Sequence, residues 1–147
     1  MTVEALLAYA HFLAILMMTT FLASETAMCR KDWMNAAILD RLVLVDKLYG
    51  VSALAVLLTG LARTGWGIKG ASWYWAQPLL HAKVALFVVV IGLSLVATRR
   101  YLRWRSALRT QGTLPPESEI RSTRRIVMVA AHLVAVVPLL AVFLART

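Results

Sequence analysis

The chain has 147 residues, 61% of them hydrophobic, and a mean hydropathy of +0.73. A soluble domain has nearly half its residues apolar, so these totals exclude an ordinary water-soluble globule, and the length allows one domain. The formal net charge of +9 would suit a nucleic-acid binder, but the basic residues gather at the ends of apolar segments, and the single cysteine, Cys29, excludes an internal disulfide.

The N-terminus, Met1-Thr2-Val3-Glu4, has no basic region, and no small-residue cleavage site follows. The first apolar segment is therefore expected to be a retained helix rather than a signal peptide. It spans about residues 5–24. His11, Met18 and Glu25 recur every seven residues and line one stripe, so Glu25 faces inward at the far end, within reach of Arg41 or Lys47. The second span covers about residues 42–63. Ile38, Leu42, Val45 and Tyr49 recur at helical spacing, which predicts a longer helix with amphipathic first turns. Asp46 and Lys47 read as interfacial ion-pair partners. Residues 64–70 read as a loop, and Trp73, Tyr74 and Trp75 as an aromatic anchor that opens a third span over about 75–98. That span continues as a basic stretch to Arg109. A turn over 111–116 follows, with Pro115 or Pro116 at the first helical position and Glu117 and Glu119 in the first turn, where acidic side chains suit the helix dipole. The fourth span covers about 126–145. Four spans of about 20 residues each use more than half the chain. The fold class expected is all-α, an integral membrane four-helix bundle with up-down topology.

Orientation follows from the basic residues. Arg30, Lys31, Arg41 and Lys47 flank the first connection, and eight arginines from Arg99 to Arg125 flank the third. Only Arg63, Lys69 and Arg146 lie on the other side, a ratio of twelve to three. Both termini are expected outside the cytoplasm, in the periplasm of a bacterium, with the chain in the inner membrane. The basic excess then serves topology and attraction to anionic lipid, and nucleic acid is not an expected partner.

An ionisable side chain at membrane depth is costly and marks a candidate site. His11, His81, Lys83 and His132 qualify, with Glu25 and Asp46 nearer the inner face. At about 1.5 Å per residue, His11, His81 and Lys83 share a layer roughly 9–12 Å below the outer boundary, and His132 lies deeper. His81 and Lys83 are two residues apart and point roughly 200° apart on a helix, so they cannot serve one face of one ligand. Met17, Met18 and Met28 near Cys29 leave a copper-handling role open. The chemistry that suits the outer layer is tetrapyrrole ligation: imidazole binds haem iron, and a lysine either binds iron as the neutral amine or pairs a carboxylate as the ammonium. A cofactor-free small transporter or accessory subunit fits the same residues.

Three places carry a resemblance. Helix one begins Ala8-Tyr9-Ala10-His11-Phe12-Leu13, helix two begins Asp40-Arg41-Leu42, and helix three holds Leu80-His81-Ala82-Lys83. In these the chain resembles the HemJ-type protoporphyrinogen oxidases and their uncharacterised membrane-protein relatives. The resemblance implies a four-helix protein with a haem b in its outer half and a role as oxidoreductase or electron-transfer protein. It makes His11 an axial iron ligand, Lys83 a second ligand or carboxylate partner, and His81 a lesser candidate. It implies a porphyrinogen as the molecule oxidised; the other partners expected of the chain are membrane lipid, a quinone and further copies of itself. The haem would be non-covalent, since no Cys-x-x-Cys-His motif exists. In helix four the family carries Asn-Glu two residues before a proline. Here Pro138 is kept and Ala135 and Val136 stand in place of the polar pair, so protoporphyrinogen oxidation is expected to be weak or absent.

Overall fold

The computed structural model describes residues 2–66 and 70–146, leaving out the side chains at 66, 144 and 145. The described residues are helical with no strand, and four helices are long and apolar enough to cross a membrane. Helix α1 runs Val3–Met28, opened by Thr2, whose hydroxyl accepts from the Ala5 N–H at 3.2 Å. A single 3₁₀ turn, Lys31–Trp33, leads to α2, Ala36–Trp66. Asn35 caps α2 by accepting from the Ile38 N–H at 2.9 Å. The short α3, Ala71–Ala76, precedes α4, Pro78–Gln111, and α5, Glu117–Arg146.

Two boundaries depart from the sequence reading. The aromatic anchor does not open the third span: Trp73, Tyr74 and Trp75 form α3, and the chain breaks at Gln77 (φ −83°, ψ 125°) before α4 starts. Pro78 causes this, because a proline disfavours helical geometry in the preceding residue while suiting a first helical position itself. Pro116 sits one place ahead of the first turn of α5, its carbonyl accepting from the Glu119 and Ile120 N–H groups. Of the expected loop, Thr64, Gly65 and Trp66 end α2, and residues 67–69 lie outside the described residues. The basic stretch from Arg99 to Arg109 continues α4 as helix. It stops where Gly112 adopts a left-handed φ of 67°, which a Cβ would disfavour.

Helix α1 packs chiefly on α2, and α4 on α5; the two pairs meet through α2 with α4 and α1 with α5. Large apolar side chains such as Tyr9, Phe12, Leu54, Val88 and Phe143 remain exposed, as lipid-facing surfaces require. The tightest core lies toward the end where α1 meets α2. There Leu22, Glu25, Cys29, Leu39, Leu42, Tyr101 and Thr123 are fully buried. Two cavities open along the α2–α4 contact, one at His11 and Lys83 and one at Asp46 and Thr98.

Candidate functional site

His11 lies on the inward face of α1 with Ala14, Met18, Leu22 and Glu25, all buried. The expected stripe of His11, Met18 and Glu25 is that face. His11 Nδ1 stands 2.7 Å from Thr59 Oγ1 on α2. The Thr59 hydroxyl hydrogen is directed back along its own helix, to the Ala55 carbonyl at 2.6 Å. A hydroxyl has one hydrogen, so with that hydrogen on Ala55, Thr59 Oγ1 accepts from His11 Nδ1–H and Nε2 keeps its lone pair. Nε2 is buried without a hydrogen-bond partner. An imidazole anchored through Nδ1–H with Nε2 free is the arrangement that metal-ligating histidines use.

Gly60 completes the setting. A Cβ placed there would lie 3.2 Å from His11 Cε1, so the ring rests directly on the α2 backbone. His11 lines a cavity of about 110 Å³ bounded by α1, α2, α3, α4 and Val137 of α5, with Gly60, Trp75, Lys83 and Phe87 in its wall. Several wall residues, Leu57, Leu61 and Val88 among them, are exposed at the surface, so the cavity opens sideways where lipid would lie. Arg63 near the end of α2 pairs with Glu4 of α1 at 3.6 Å.

The sequence candidates separate in space. His11 and Lys83 line this one cavity. His81 does not: it sits in the first turn of α4, exposed, and its Nε2–H donates to the Trp75 carbonyl at 2.8 Å. Its placement in a layer with His11 assumed that the third span begins at Trp75, and the break before Pro78 removes that assumption. His132 is also exposed and bonds the Met128 carbonyl of its own helix, at 2.7 Å from Nδ1. Met18 is core, Met17 is exposed, Met28 packs against the core, and Cys29 is buried with its Sγ 3.8 Å from the Ile120 carbonyl. Thr59 and Gly60 escaped the sequence reading. The usable signal was a hydroxyl on helix two at the depth of His11, since a buried imidazole N–H needs an acceptor.

The other half of the bundle, away from His11, holds a second polar group. Glu25 does not pair with Arg41 or Lys47, which are exposed. It faces Asp46 across α1 and α2, and Asp46 accepts from Thr98 Oγ1 at 2.6 Å rather than pairing with Lys47. The helical period decides this: Asp46 shares the buried face of Leu39, Leu42, Val43 and Tyr49, while Lys47 is turned out of it. Tyr49 Oη and Ser94 Oγ, 2.7 Å apart, bridge α2 and α4 beside them.

No curated protein and no solved structure matches the chain. One family does, over residues 3–147, and it is described as Predicted membrane protein (DUF2214). A match across nearly the whole chain, on four helices long and apolar enough to span a bilayer, makes this protein a member of that family.

Proposed function

We propose that the protein is a haem b-binding oxidoreductase or electron-transfer protein of the bacterial inner membrane, related to the HemJ-type oxidases. In this reading the four long helices form an up-down bundle with both termini in the periplasm. The observation that carries the proposal is His11: a buried imidazole, fixed by Thr59 through Nδ1–H and unpartnered at Nε2, on a cavity that Lys83 shares. The donor set fits a haem. Imidazole Nε2 is a standard iron ligand, Gly60 gives the ring its space, and the apolar wall suits a tetrapyrrole.

Bound haem would supply one-electron chemistry. The chain's own residues do the rest. Thr59 holds the His11 ring in one orientation. Lys83, the cation on the wall, either binds iron as the amine or neutralises a carboxylate as the ammonium. Leu57, Leu61, Phe87 and Val88 keep the site apolar. A porphyrinogen or quinone would arrive laterally from the lipid, through the open side. At helix four, Ala135 and Val136 offer no proton-handling group, so porphyrinogen oxidation is expected to be weak.

One observation favours a second reading, a cofactor-free transporter or accessory subunit. The cavity at His11 encloses about 110 Å³, below the roughly 300–1,000 Å³ of ordinary ligand sites. Haem binding therefore requires α2 and α4 to part at their loosely packed contact.

The test is the absorption spectrum of detergent-purified protein with and without added haemin. The haem reading expects a Soret band. His11→Ala is expected to lose haem or become high-spin, and His81→Ala to change little. Lys83→Ala separates the two roles of the lysine. A change of spin state means that the amine ligates iron. An unchanged spectrum with affinity lower by roughly 2–5 kcal/mol means a broken charge pair. No Soret band after haemin addition refutes the haem reading and leaves the cofactor-free one.

A further inference from the structure

The His11 site makes no use of the two carboxyl groups buried in the other half of the bundle. Glu25 of α1 is 1% exposed and Asp46 of α2 is 7% exposed. Their carboxyl groups face each other between α1 and α2. Neither forms an ion pair among the described residues; the five ion pairs present all involve other groups. One oxygen of each, Glu25 Oε1 and Asp46 Oδ1, is buried without a donor. Two carboxylates facing each other away from water cannot both ionise, because repulsion and desolvation act in the same direction. A proton between them removes both penalties and supplies the missing donor.

One feature of α4 points the same way. Tyr101 of that helix is fully buried near Glu25 and Asp46, with the Cys29 thiol as its side-chain neighbour. Thr98 Oγ1 lies 2.6 Å from Asp46 Oδ2 and 2.9 Å from the Ser94 carbonyl. With one hydrogen and two acceptors, Thr98 donates to Asp46 when that oxygen is bare. When Asp46 carries the proton there, Thr98 accepts it and turns its own hydrogen to Ser94. Asp46 Oδ2 therefore keeps its hydrogen bond in either protonation state.

We infer that Glu25 and Asp46 form a proton-binding site in the half of the bundle away from His11, holding one proton between them and exchanging it through Asp46. Asp46 is the outlet because it lines a cleft of about 270 Å³ between α2 and α4, with Tyr49, Ser94 and Thr98 as the other polar wall. The other titratable or charged groups around the pair are Cys29 just past α1, Tyr49 on α2, Tyr101 on α4 and Arg124 on α5. The Arg124 Nε–H donates to the Thr26 carbonyl at 3.3 Å, which holds that cation beside the site rather than in it.

Infrared spectroscopy of the full chain in proteoliposomes near neutral pH tests this. The other five of the seven acidic residues are ion-paired or, for Asp32, exposed, so a protonated-acid carbonyl band reports on this pair. The expected result is such a band in the wild-type protein, shifting in heavy water and indifferent to replacing choline chloride by sodium chloride. Glu25→Gln and Asp46→Asn should each remove it, because the new amide donates to the remaining carboxylate. A wild type with no band overturns the inference, as does a band that sodium removes, since a cation then occupies the site. A band that persists in the folded Glu25→Gln/Asp46→Asn double variant also overturns it. The wild-type measurement decides even where a variant misfolds, and it needs no haem, so its outcome is separate from that of the haem reading.

Discussion

Single atoms decide what His11 can do. The Thr59 hydrogen bond fixes its ring orientation, and the missing side chain of Gly60 sets its distance from α2. Gly60→Ala is accordingly expected to act in two directions. Alanine favours a helix interior over glycine by about 1 kcal/mol, so the helix gains. The added Cβ pushes the imidazole by a few tenths of an ångström, which should weaken haemin binding roughly tenfold, about 1.4 kcal/mol. Thermal unfolding and haemin titration of the same sample check both. Cys29 gives a pH prediction. It lies just past the end of α1, where burial first, and then the charge of Glu25, push its thiol up to about 11 from an ordinary 9.0. The folded state thus keeps a proton that the unfolded chain loses first. Its contribution to stability is complete below pH 9 and is lost as pH rises toward about 11. Alkylation near neutral pH should be slow in the folded protein and fast after denaturation, since the thiolate is the nucleophile.

At the scale of elements, the α2–α4 contact is the adjustable one. It is looser than the α1–α2 and α4–α5 pairings, and both cavities open along it, sharing Leu57 and Phe87. Two polar bridges hold its part away from His11, Tyr49 to Ser94 and Thr98 to Asp46. Removing the two ends of the first bridge should not be equivalent. Ser94 also donates to the Val90 carbonyl at 2.8 Å, so Tyr49→Phe leaves it satisfied and should cost only about 0.6 kcal/mol, an ordinary value within a membrane. Ser94→Ala strands the buried Tyr49 hydroxyl and should cost about 1–3 kcal/mol. Unfolding of the two variants in the same detergent gives the comparison. The helices themselves were legible because each long apolar run must satisfy its backbone internally in lipid. The break before Pro78 was equally legible in principle. The continuous hydropathy across it concealed a local rule that proline imposes on Gln77.

For the whole molecule, the twelve-to-three basic asymmetry makes orientation the clearest prediction. A periplasmic reporter fused after Thr147 should be active and a cytoplasmic one inactive; the reverse result inverts the topology. Sequence alone determined the membrane class, the four apolar segments and the candidate residues His11 and Lys83, because hydrophobic length and the cost of a buried charge are properties of the chain itself. The tertiary structure decided which candidates meet. It joined His11 and Lys83 at one cavity, turned His81 and His132 outward, supplied Thr59 and Gly60 from another helix, and set Glu25 against Asp46 instead of a basic residue. These outcomes depend on the rotation and depth of one helix against its neighbour. Helical periodicity gives the face that a residue occupies on its own helix, and the partner across the interface is fixed only when two such faces pack.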